Sequence, residues 1–198
     1  MKDTITRVAM HLFARKGYAA TSMREIADAA SVTKAALYHH FPDKETLYRE
    51  AMTSTTEHLC APIARAADGV EDPAEKVRAI VHAHLKLFVT ETDLIRALYH
   101  NILMPDSDFV MDASKDEHGL MHALGQCAEQ GYLEPDAVKD VFLLLIGAVE
   151  YVGVGWLLKQ KGPRPGAAIG DRLIAAAMPD FPREKLGASA RRSRPPSG

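Results

Sequence analysis

The stretch that decides the fold is GYAATSMREIADAASVTKAALYHHFPDKETL, residues 17–47. Near its start, Ser22 and Glu25 form an S-x-x-E capping box, in which each side chain satisfies a free amide of a helix N-terminus. A helix is therefore predicted to follow over about residues 23–30.

A second short helix is predicted over residues 34–40. Thr33 can cap its start, and Pro42 closes it off because a proline cannot continue a helix. The small side chain of Ala27 lets the two helices cross closely, with a turn at Ser31 between them. Val32 and Leu37 fill the wedge between the helices, and Ile26 and Ala30 also match the motif. The pattern is that of a helix-turn-helix, although many short helical hairpins share it.

The rest of the chain also carries helical periodicity, with apolar residues three and four apart. We predict an all-α protein of about nine helices: an N-terminal three-helix helix-turn-helix domain and a larger C-terminal helical bundle. The predicted domains are residues 1–46 for DNA binding and 47–187 for ligand binding and dimerisation. Residues 188–198 are predicted to form a disordered tail. Besides the two helices above, the predicted helices cover about 5–16, 44–67, 93–104, 113–130, 134–160 and 167–178, and a further one begins at 72–75 and has an inward apolar stripe that extends to Phe88.

Composition gives a broad class and little more. The chain is 47% hydrophobic and 25% charged, with a net charge of −2, like an ordinary globular protein. Two cysteines make no disulfide framework, which favours a reduced cytoplasmic interior. The apolar segment 141–158 is interpreted as a buried helix and not as a membrane span, because Glu150 and three glycines interrupt it. The net charge therefore does not identify a binding partner, and the identification depends on a sequence motif.

Residues 17–47 resemble the tetracycline-repressor (TetR) family of transcriptional regulators. Two positions depart from the family pattern: Ser31 stands where a turn glycine is usual, and Ala35 where glycine is frequent. Base preference therefore cannot be copied from any relative. The matching residues are Gly17-Tyr18, Thr21-Ser22-Met23, Ile26-Ala27, Val32-Thr33, Leu37-Tyr38, His40-Phe41 and Lys44-Glu45-x-Leu47.

The resemblance implies that the helix over residues 34–40 enters the major groove, where base edges can be distinguished. Lys34 would donate to guanine acceptors, Ala35 would touch a thymine methyl, and Tyr38 would pack on the sugar–phosphate wall. Thr33 would lie at the leading end. Elsewhere in a protein, such residues are ordinarily a solvated charge or a surface aromatic. Phosphate contacts that fix the register would come from Thr21, Ser22, Arg24, His40 and Lys44.

The predicted eighth helix is apolar on two faces, whereas a surface helix needs only one. One partner is the domain core, and the other is a second subunit. The resemblance implies that helices eight and nine of two copies form a four-helix bundle, with Gly147 and Gly155 allowing close approach. A monomer with helix eight wholly central is the alternative. The first face holds Val138, Val141, Phe142, Leu145, Val149, Val152 and Trp156, and the second holds Leu144, Gly147, Tyr151, Val154, Gly155 and Leu158.

A ligand pocket is predicted among helices four to eight, from polar or adaptable residues on inward faces. For each residue the alternative is an ordinary core position. Glu150 is notable, because a carboxylate in so apolar a helix needs a partner or a pH-dependent charge. Pairing at the dimer interface is the alternative for this residue. The candidates are His84, Tyr99, Met104, Met121, His122, Glu150 and Trp156.

A metal site is the alternative for the histidines. His82 with His84, and His118 with His122, are pairs, but no nearby Cys, His or Asp completes a site in sequence. We expect no metal and no cofactor.

The predicted function is that of a ligand-responsive repressor, released from a palindromic DNA operator by a small molecule. We expect the protein to act as a homodimer. We do not expect an enzyme, because the sequence has no P-loop, dinucleotide fingerprint or nucleophile elbow. The alternative is a DNA-binding adaptor without an effector, whose larger domain serves only dimerisation. Activation also stays open, since the operator position decides it.

Overall fold

The computed structural model describes residues 1–102, 119–159 and 164–187. Across those ranges every regular element is helical, which confirms the predicted all-α fold. Three short 3-10 turns lie at Arg65–Ala67, Pro135–Ala137 and Arg183–Lys185. The α-helices are α1 Lys2–Lys16, α2 Met23–Ala29, α3 Lys34–His40, α4 Lys44–Ala64, α5 Pro73–Thr90, α6 Thr92–Ile102, α7 Leu120–Glu129, α8 Val138–Lys159 and α9 Ala167–Ala177.

The helices group into two compact units. The first unit comprises Met1–Leu59 and the segment that begins at Glu91 and includes α6. The second unit comprises the segment from Cys60 to Thr90 together with α7, α8 and α9. The helix-turn-helix therefore shares its unit with α6, which follows it much later in the chain.

The first unit has a core formed where α1 packs against α2 and α6. Ile5, Phe13, Ile26 and Leu37 are each at most 1% exposed. Removing such side chains from water supplies most of the stabilisation of a small helical unit, at about 1.5–3 kcal/mol each. This core fixes the short helices α2 and α3, which are too short to be stable alone.

Local caps set the helix starts in this unit. The predicted capping box is present: Ser22 Oγ accepts a hydrogen bond from the Glu25 amide, and the Glu25 carboxylate accepts one from the Ser22 amide. Thr33 Oγ1 accepts from the Ala36 amide at 3.1 Å and caps α3. Helix α4 begins in the same way, since Asp43 Oδ1 accepts from the Thr46 amide. The boundaries of α2, α3 and α4 therefore follow from single polar side chains.

Helix α4 runs through Pro62 and ends two residues later at Ala64. A proline has no amide to donate to the carbonyl four residues earlier, and its ring crowds that turn, so a helix commonly ends soon after it. The end of α4 agrees with this rule, and the chain continues as the 3-10 turn.

Helix α8 divides into a buried and an exposed apolar face. Leu145 and Val149 are at most 1% exposed, whereas Tyr151 is 83% and Leu158 67% exposed. The segment Pro135–Leu158 has the length and hydropathy to cross a membrane, with mean hydropathy 2.1, and a third of its most apolar window is buried. The expectation of a buried helix therefore holds for one face only.

Candidate DNA-binding and effector sites

The turn between α2 and α3 holds Ser31 in the left-handed region, with φ 55°. Its amide donates to the Asp28 carbonyl at 3.2 Å, and the Val32 amide donates to the Ala27 carbonyl at 3.0 Å. A residue with a Cβ has a steric cost in this conformation, which explains why glycine is the easier choice here. Ser31 adopts it because the turn requires it.

The predicted recognition surface lies on one side of α3. Lys34, Ala35 and Tyr38 are all exposed, while Leu37 is fully buried and anchors the helix. Lys34 Nζ lies 5.7 Å from the centre of the Tyr38 ring. The two side chains meet because residues four apart share one helix face. Together the three residues present a cation, a methyl group and a phenol to the same side.

Two of the predicted phosphate ligands are exposed. Ser22 lies at the N-terminus of α2, where its hydroxyl donates to Glu25 Oε2 at 3.3 Å, and the side chain of Arg24 is 86% exposed. The Arg24 guanidinium lies 3.9 Å from Asp28, which is itself 75% exposed. So exposed a pair contributes little to stability and can be exchanged for a phosphate contact.

Thr21 and Lys44 have internal partners instead. Thr21 is 1% exposed, and its hydroxyl donates to the Gly17 carbonyl at 2.9 Å. Lys44 Nζ donates to the carbonyls of Tyr18 at 2.9 Å and of Thr21 at 3.2 Å. The same ammonium lies 4.2 Å from the centre of the Tyr18 ring. In this structure both residues hold the loop before α2 in place, and the sequence analysis did not identify that role.

Tyr18 belongs to an aromatic cluster with Phe13 and Tyr48. Its ring centre lies 5.7 Å from that of Phe13 and 4.9 Å from that of Tyr48. Burial raises the pKa of the Tyr18 phenol above its ordinary value, with a further rise from Glu45 and Asp43. No local sequence signal predicts this cluster, because Tyr18 is 26 residues from Lys44 and 30 from Tyr48 along the chain.

His40, the remaining predicted phosphate ligand, is half-buried at the end of α3. Its ring centre lies 5.5 Å from that of His39. Its Nε2 atom is buried and has no hydrogen-bond partner among the described residues. Only a part of this side chain can therefore reach a phosphate.

In the second unit the structure brings two predicted pocket residues together. His84 Nε2 on α5 lies 2.9 Å from Glu150 Oε1 on α8. The other carboxylate oxygen of Glu150 is buried and lacks a hydrogen-bond partner among the described residues. Glu150 thus has the partner that its apolar helix requires, and it retains one oxygen that can accept a further hydrogen bond.

Aromatic packing holds the His84 imidazole in place. The ring of Phe88 stacks on it, with centres 6.0 Å apart and planes 10° from parallel. Phe88 in turn packs on Gly153 of α8, where an added Cβ would lie 2.4 Å from the ring. Only glycine fits at position 153 without displacing Phe88. The helices α5 and α8 are therefore in close contact beside the His84–Glu150 pair.

The other predicted pocket residues are spread more widely. Tyr99 is half-buried on α6 in the first unit, and Trp156 is half-buried on α8. On α7, Met121 is half-buried and His122 is exposed. Met104 lies outside the described residues. The pocket roles of these five residues stay predictions.

A second buried acid, Asp171 on α9, was missed by the sequence analysis. It is 2% exposed and accepts hydrogen bonds at 2.8 Å from Arg78 Nε and from the Gly187 amide. His82 Nε2 lies at the same distance from it. His82 and His84 therefore face two different carboxylates. His118 lies outside the described residues. The signal that could have found Asp171 is a lone acidic residue in an apolar helix, as at Glu150.

Electrostatics in this cluster follow from burial and hydrogen bonding. Burial alone would raise the pKa of the Asp171 carboxyl, but hydrogen bonds from Arg78 and Gly187 lower it below its ordinary value. Burial lowers the pKa of His82 and outweighs the attraction of the Asp171 carboxylate. Asp171 is therefore an ion at neutral pH, and its partners tie α9 and the segment after it to α5.

Comparison with known proteins gives the same assignment as the helix-turn-helix geometry. The family model of bacterial regulatory proteins, tetR family, matches residues 5–51. A relative along most of the chain is the HTH-type transcriptional repressor KstR2 of Mycobacterium tuberculosis. It is 26% identical over 192 residues, which are 92% of this chain and 94% of the relative.

Two solved structures extend the likeness to the larger unit. AibR in complex with isovaleryl coenzyme A and operator DNA has a TM-score of 0.65 and 25% identity, covering 90% of this chain and 99% of AibR. PfmR from Thermus thermophilus has a TM-score of 0.60 and 27% identity, covering 90% of this chain and 99% of PfmR. Residues 5–51 therefore match the DNA-binding domain of the TetR family, and the chain is similar to TetR-type transcriptional regulators along most of its length.

Proposed function

We propose that the protein is a ligand-responsive repressor, which binds a palindromic operator as a homodimer and is released from it by a small molecule. The observation that carries the proposal is the exposed surface of Lys34, Ala35 and Tyr38 on α3. A cation and a phenol beside a small methyl group suit the mixed polar and apolar edges of the major groove. The related KstR2 is a repressor, and AibR is described on operator DNA.

Within the proposal, exposed side chains beside α3 hold the phosphates. Ser22, Arg24 and the accessible part of His40 contact the DNA backbone and fix the register. Thr21 and Lys44 act indirectly, because their hydrogen bonds to backbone carbonyls shape the loop before α2. The base-reading surface is thereby held rigid without these two residues touching DNA.

The homodimer is supported by the exposed apolar face of α8. This face needs a second apolar surface, because four large side chains left in water forgo about 1.5–3 kcal/mol each. Gly147 lies among them, and an added Cβ there would touch nothing within 4 Å. The open space suits the close approach of a second helix, with Ala168 and Ala176 of α9 as further exposed small residues. The large side chains are Leu143, Leu144, Tyr151 and Leu158.

A dimer has a property that an effector can change, which is the separation of its two recognition helices. Two recognition helices about 34–36 Å apart reach successive major grooves of a palindrome. A small molecule that binds the larger unit better in a second conformation changes that separation, and only this difference in affinity supplies the free energy. No bond is made or broken. The protein is therefore proposed to act by binding alone, in the cytoplasm where its operator lies.

The decisive experiment selects the operator from a random DNA library with the full-length protein. We expect a palindrome whose half-sites are centred about one helical turn apart, or a multiple of that. Fluorescence anisotropy in a salt series then compares this sequence with a scrambled one. Equal affinity for both sequences would contradict the proposal.

The alternative function, a DNA-binding adaptor without an effector, differs in one measurable respect. It keeps operator binding, but no small molecule alters the affinity. A library of metabolites screened for release of the selected operator distinguishes the two. Sedimentation velocity of the Leu144→Glu and Tyr151→Glu variants tests the proposed dimer interface under either function. We expect both variants to lose the dimer.

A further inference from the structure

We infer that Glu150 and His84 form the polar end of the effector site, and that they take a ligand with a hydrogen-bond-donating head group on an apolar body. A hydroxyl or a protonated amine would serve as the head group. The inference rests on the proposed function, since it assigns the chemistry of the effector.

The first argument is the cost of the carboxylate. Glu150 is the only charged residue between Asp140 and Lys159 in α8. Taking a carboxylate out of water is expensive unless hydrogen bonds replace those it loses. A helix that needed only to pack would carry an apolar residue at this position. The Glu150 carboxylate is therefore assigned to ligand binding, a role that the apolar side chains of α8 do not supply.

The second argument is the number of partners. One oxygen of Glu150 faces His84 at 2.9 Å, while the other is buried without a partner among the described residues. Buried acceptors in native proteins are almost always satisfied, and each exception needs an explanation. The side chains of Glu150 and His84 are 21% and 12% exposed, so the pair lies at the border of the buried core and not deep within it.

The third argument selects the ligand chemistry. An ionised carboxylate only accepts hydrogen bonds, so its second oxygen requires a donor from the ligand. A carboxylate or phosphate head group would place a second negative charge against Glu150, which is unfavourable at short range. A hydroxyl satisfies the oxygen as a neutral donor, and an ammonium adds the attraction of opposite charges.

The fourth argument concerns the body of the ligand. The His84 imidazole is stacked on Phe88, which rests on Gly153. Phe88 itself is 2% exposed, so the imidazole borders the buried apolar core of this unit. A polar pair set in such surroundings is typical of small-molecule sites, which are mostly apolar with a few polar groups that fix orientation.

The test uses three probes with the same eight-carbon chain: 1-octylamine, 1-octanol and octanoate. Trp156 on α8 is the only tryptophan in the chain, so its fluorescence reports binding to the full-length protein without any DNA. We expect the amine and the alcohol to bind at least tenfold more tightly than octanoate. Equal binding of all three by the wild-type protein would overturn the inference.

The matched variants are Glu150→Gln and Asp140→Asn. The first removes the charge at the pair, whereas the second removes a charge at an exposed position of the same helix. We expect Glu150→Gln to weaken octylamine binding by about tenfold or more and to narrow its preference over octanoate, while Asp140→Asn changes neither. A head-group preference that survives in Glu150→Gln, with the fold confirmed by circular dichroism, would also overturn the inference.

Failure here is distinguishable from failure of the proposed function. Loss of sequence preference in the DNA selection contradicts the repressor but leaves the tryptophan titration intact. Conversely, a repressor that binds its operator, yet shows no head-group preference, contradicts only the assignment of Glu150 and His84.

Discussion

The two units of the molecule place their polar residues by different means. In the helix-turn-helix, the caps join residues three apart, such as Ser22 with Glu25 and Thr33 with Ala36. In the larger unit, Arg78 and Asp171 are 93 residues apart in the chain and still share a hydrogen bond. The first arrangement is local and leaves the functional side chains exposed. The second depends on helix packing and buries them.

This difference has a consequence for substitutions. An exposed side chain on α3 can be removed without leaving a cavity or an unpaired charge, so its loss should affect DNA binding alone. A buried acid such as Asp171 holds several partners, so its loss should affect the fold first. Each of the following predictions tests one side of this contrast.

The largest effect is expected for Asp171→Ala. The change leaves the Arg78 guanidinium half-buried without its carboxylate and removes the hydrogen bond of the Gly187 amide. Breaking a buried ion pair from one side costs about 3–5 kcal/mol. Urea denaturation followed by circular dichroism measures the loss. Asp180→Ala, at an exposed position, is the control and should change the stability little.

The same residue gives the protein an acid-sensitive stability. The pKa of Asp171 is lower in the folded state than in the unfolded chain, so its contribution is full above the unfolded value of about 3.9 and is lost as the pH falls through the folded value. His82 adds to this trend, because its lowered pKa means that the unfolded chain takes up protons first below about pH 6.5. Asp171→Asn should flatten the acid side of the stability curve. An unchanged curve would contradict the assignment.

Next in size is the loss of operator recognition in Lys34→Ala and Tyr38→Ala. Each removed base or backbone contact costs about 1–3 kcal/mol, so specific binding should fall by about tenfold to a hundredfold in each variant. Thermal stability and dimerisation should match the wild type, because both side chains are exposed. Lys86→Ala, an exposed cation on α5, controls for net charge. Operator affinity that survived both changes would show that the recognition surface lies elsewhere.

Lys44→Ala separates the two possible roles of this lysine. Its ammonium donates to two backbone carbonyls, and hydrogen bonds to charged groups contribute about 1.5–3 kcal/mol each. Since the ammonium is partly solvated, we expect the variant to be less stable by about 1–2 kcal/mol, with an unchanged dependence of DNA affinity on salt. Arg24→Ala, which removes a proposed phosphate contact, should instead lower the salt slope by about one unit. A slope that fell in Lys44→Ala would restore its predicted phosphate contact.

The smallest effect is expected at the turn between α2 and α3. Ser31 adopts φ 55°, so Ser31→Gly should stabilise the protein, by about 0.5–1 kcal/mol after the greater freedom of glycine in the unfolded chain is subtracted. Ser31→Ala keeps the Cβ and should bring no gain. Thermal denaturation of both variants provides the measurement, and equal stability of the two would refute the steric account.

Much of the first unit could be predicted, because its signals are local. The start of α2 at Met23 and the bounds of α3 follow from caps and from Pro42. The exposed surface of α3 follows from helical periodicity once Leu37 is placed inside. The internal role of Lys44 could not be predicted, since no spacing rule joins it to the Tyr18 carbonyl 26 residues earlier.

In the larger unit the prediction succeeded for features within one helix. The two apolar faces of α8 are separated as expected, with Leu145 buried and Tyr151 exposed. The need of Glu150 for a partner also followed from its apolar neighbours. The sequence did not indicate that His84 is this partner. It also did not indicate which residues contact Asp171.

By itself, the sequence determined most of the helices and their caps, the resemblance to the TetR family and the side of α3 that is left exposed. These features depend on hydrogen bonds and periodicities that extend over a few residues. Only the tertiary structure decided that Lys44 holds a loop, that His84 meets Glu150 and that Asp171 joins α9 to α5. The reason is physical: the partner of a buried charge is set by which helices pack together, and packing depends on the whole chain.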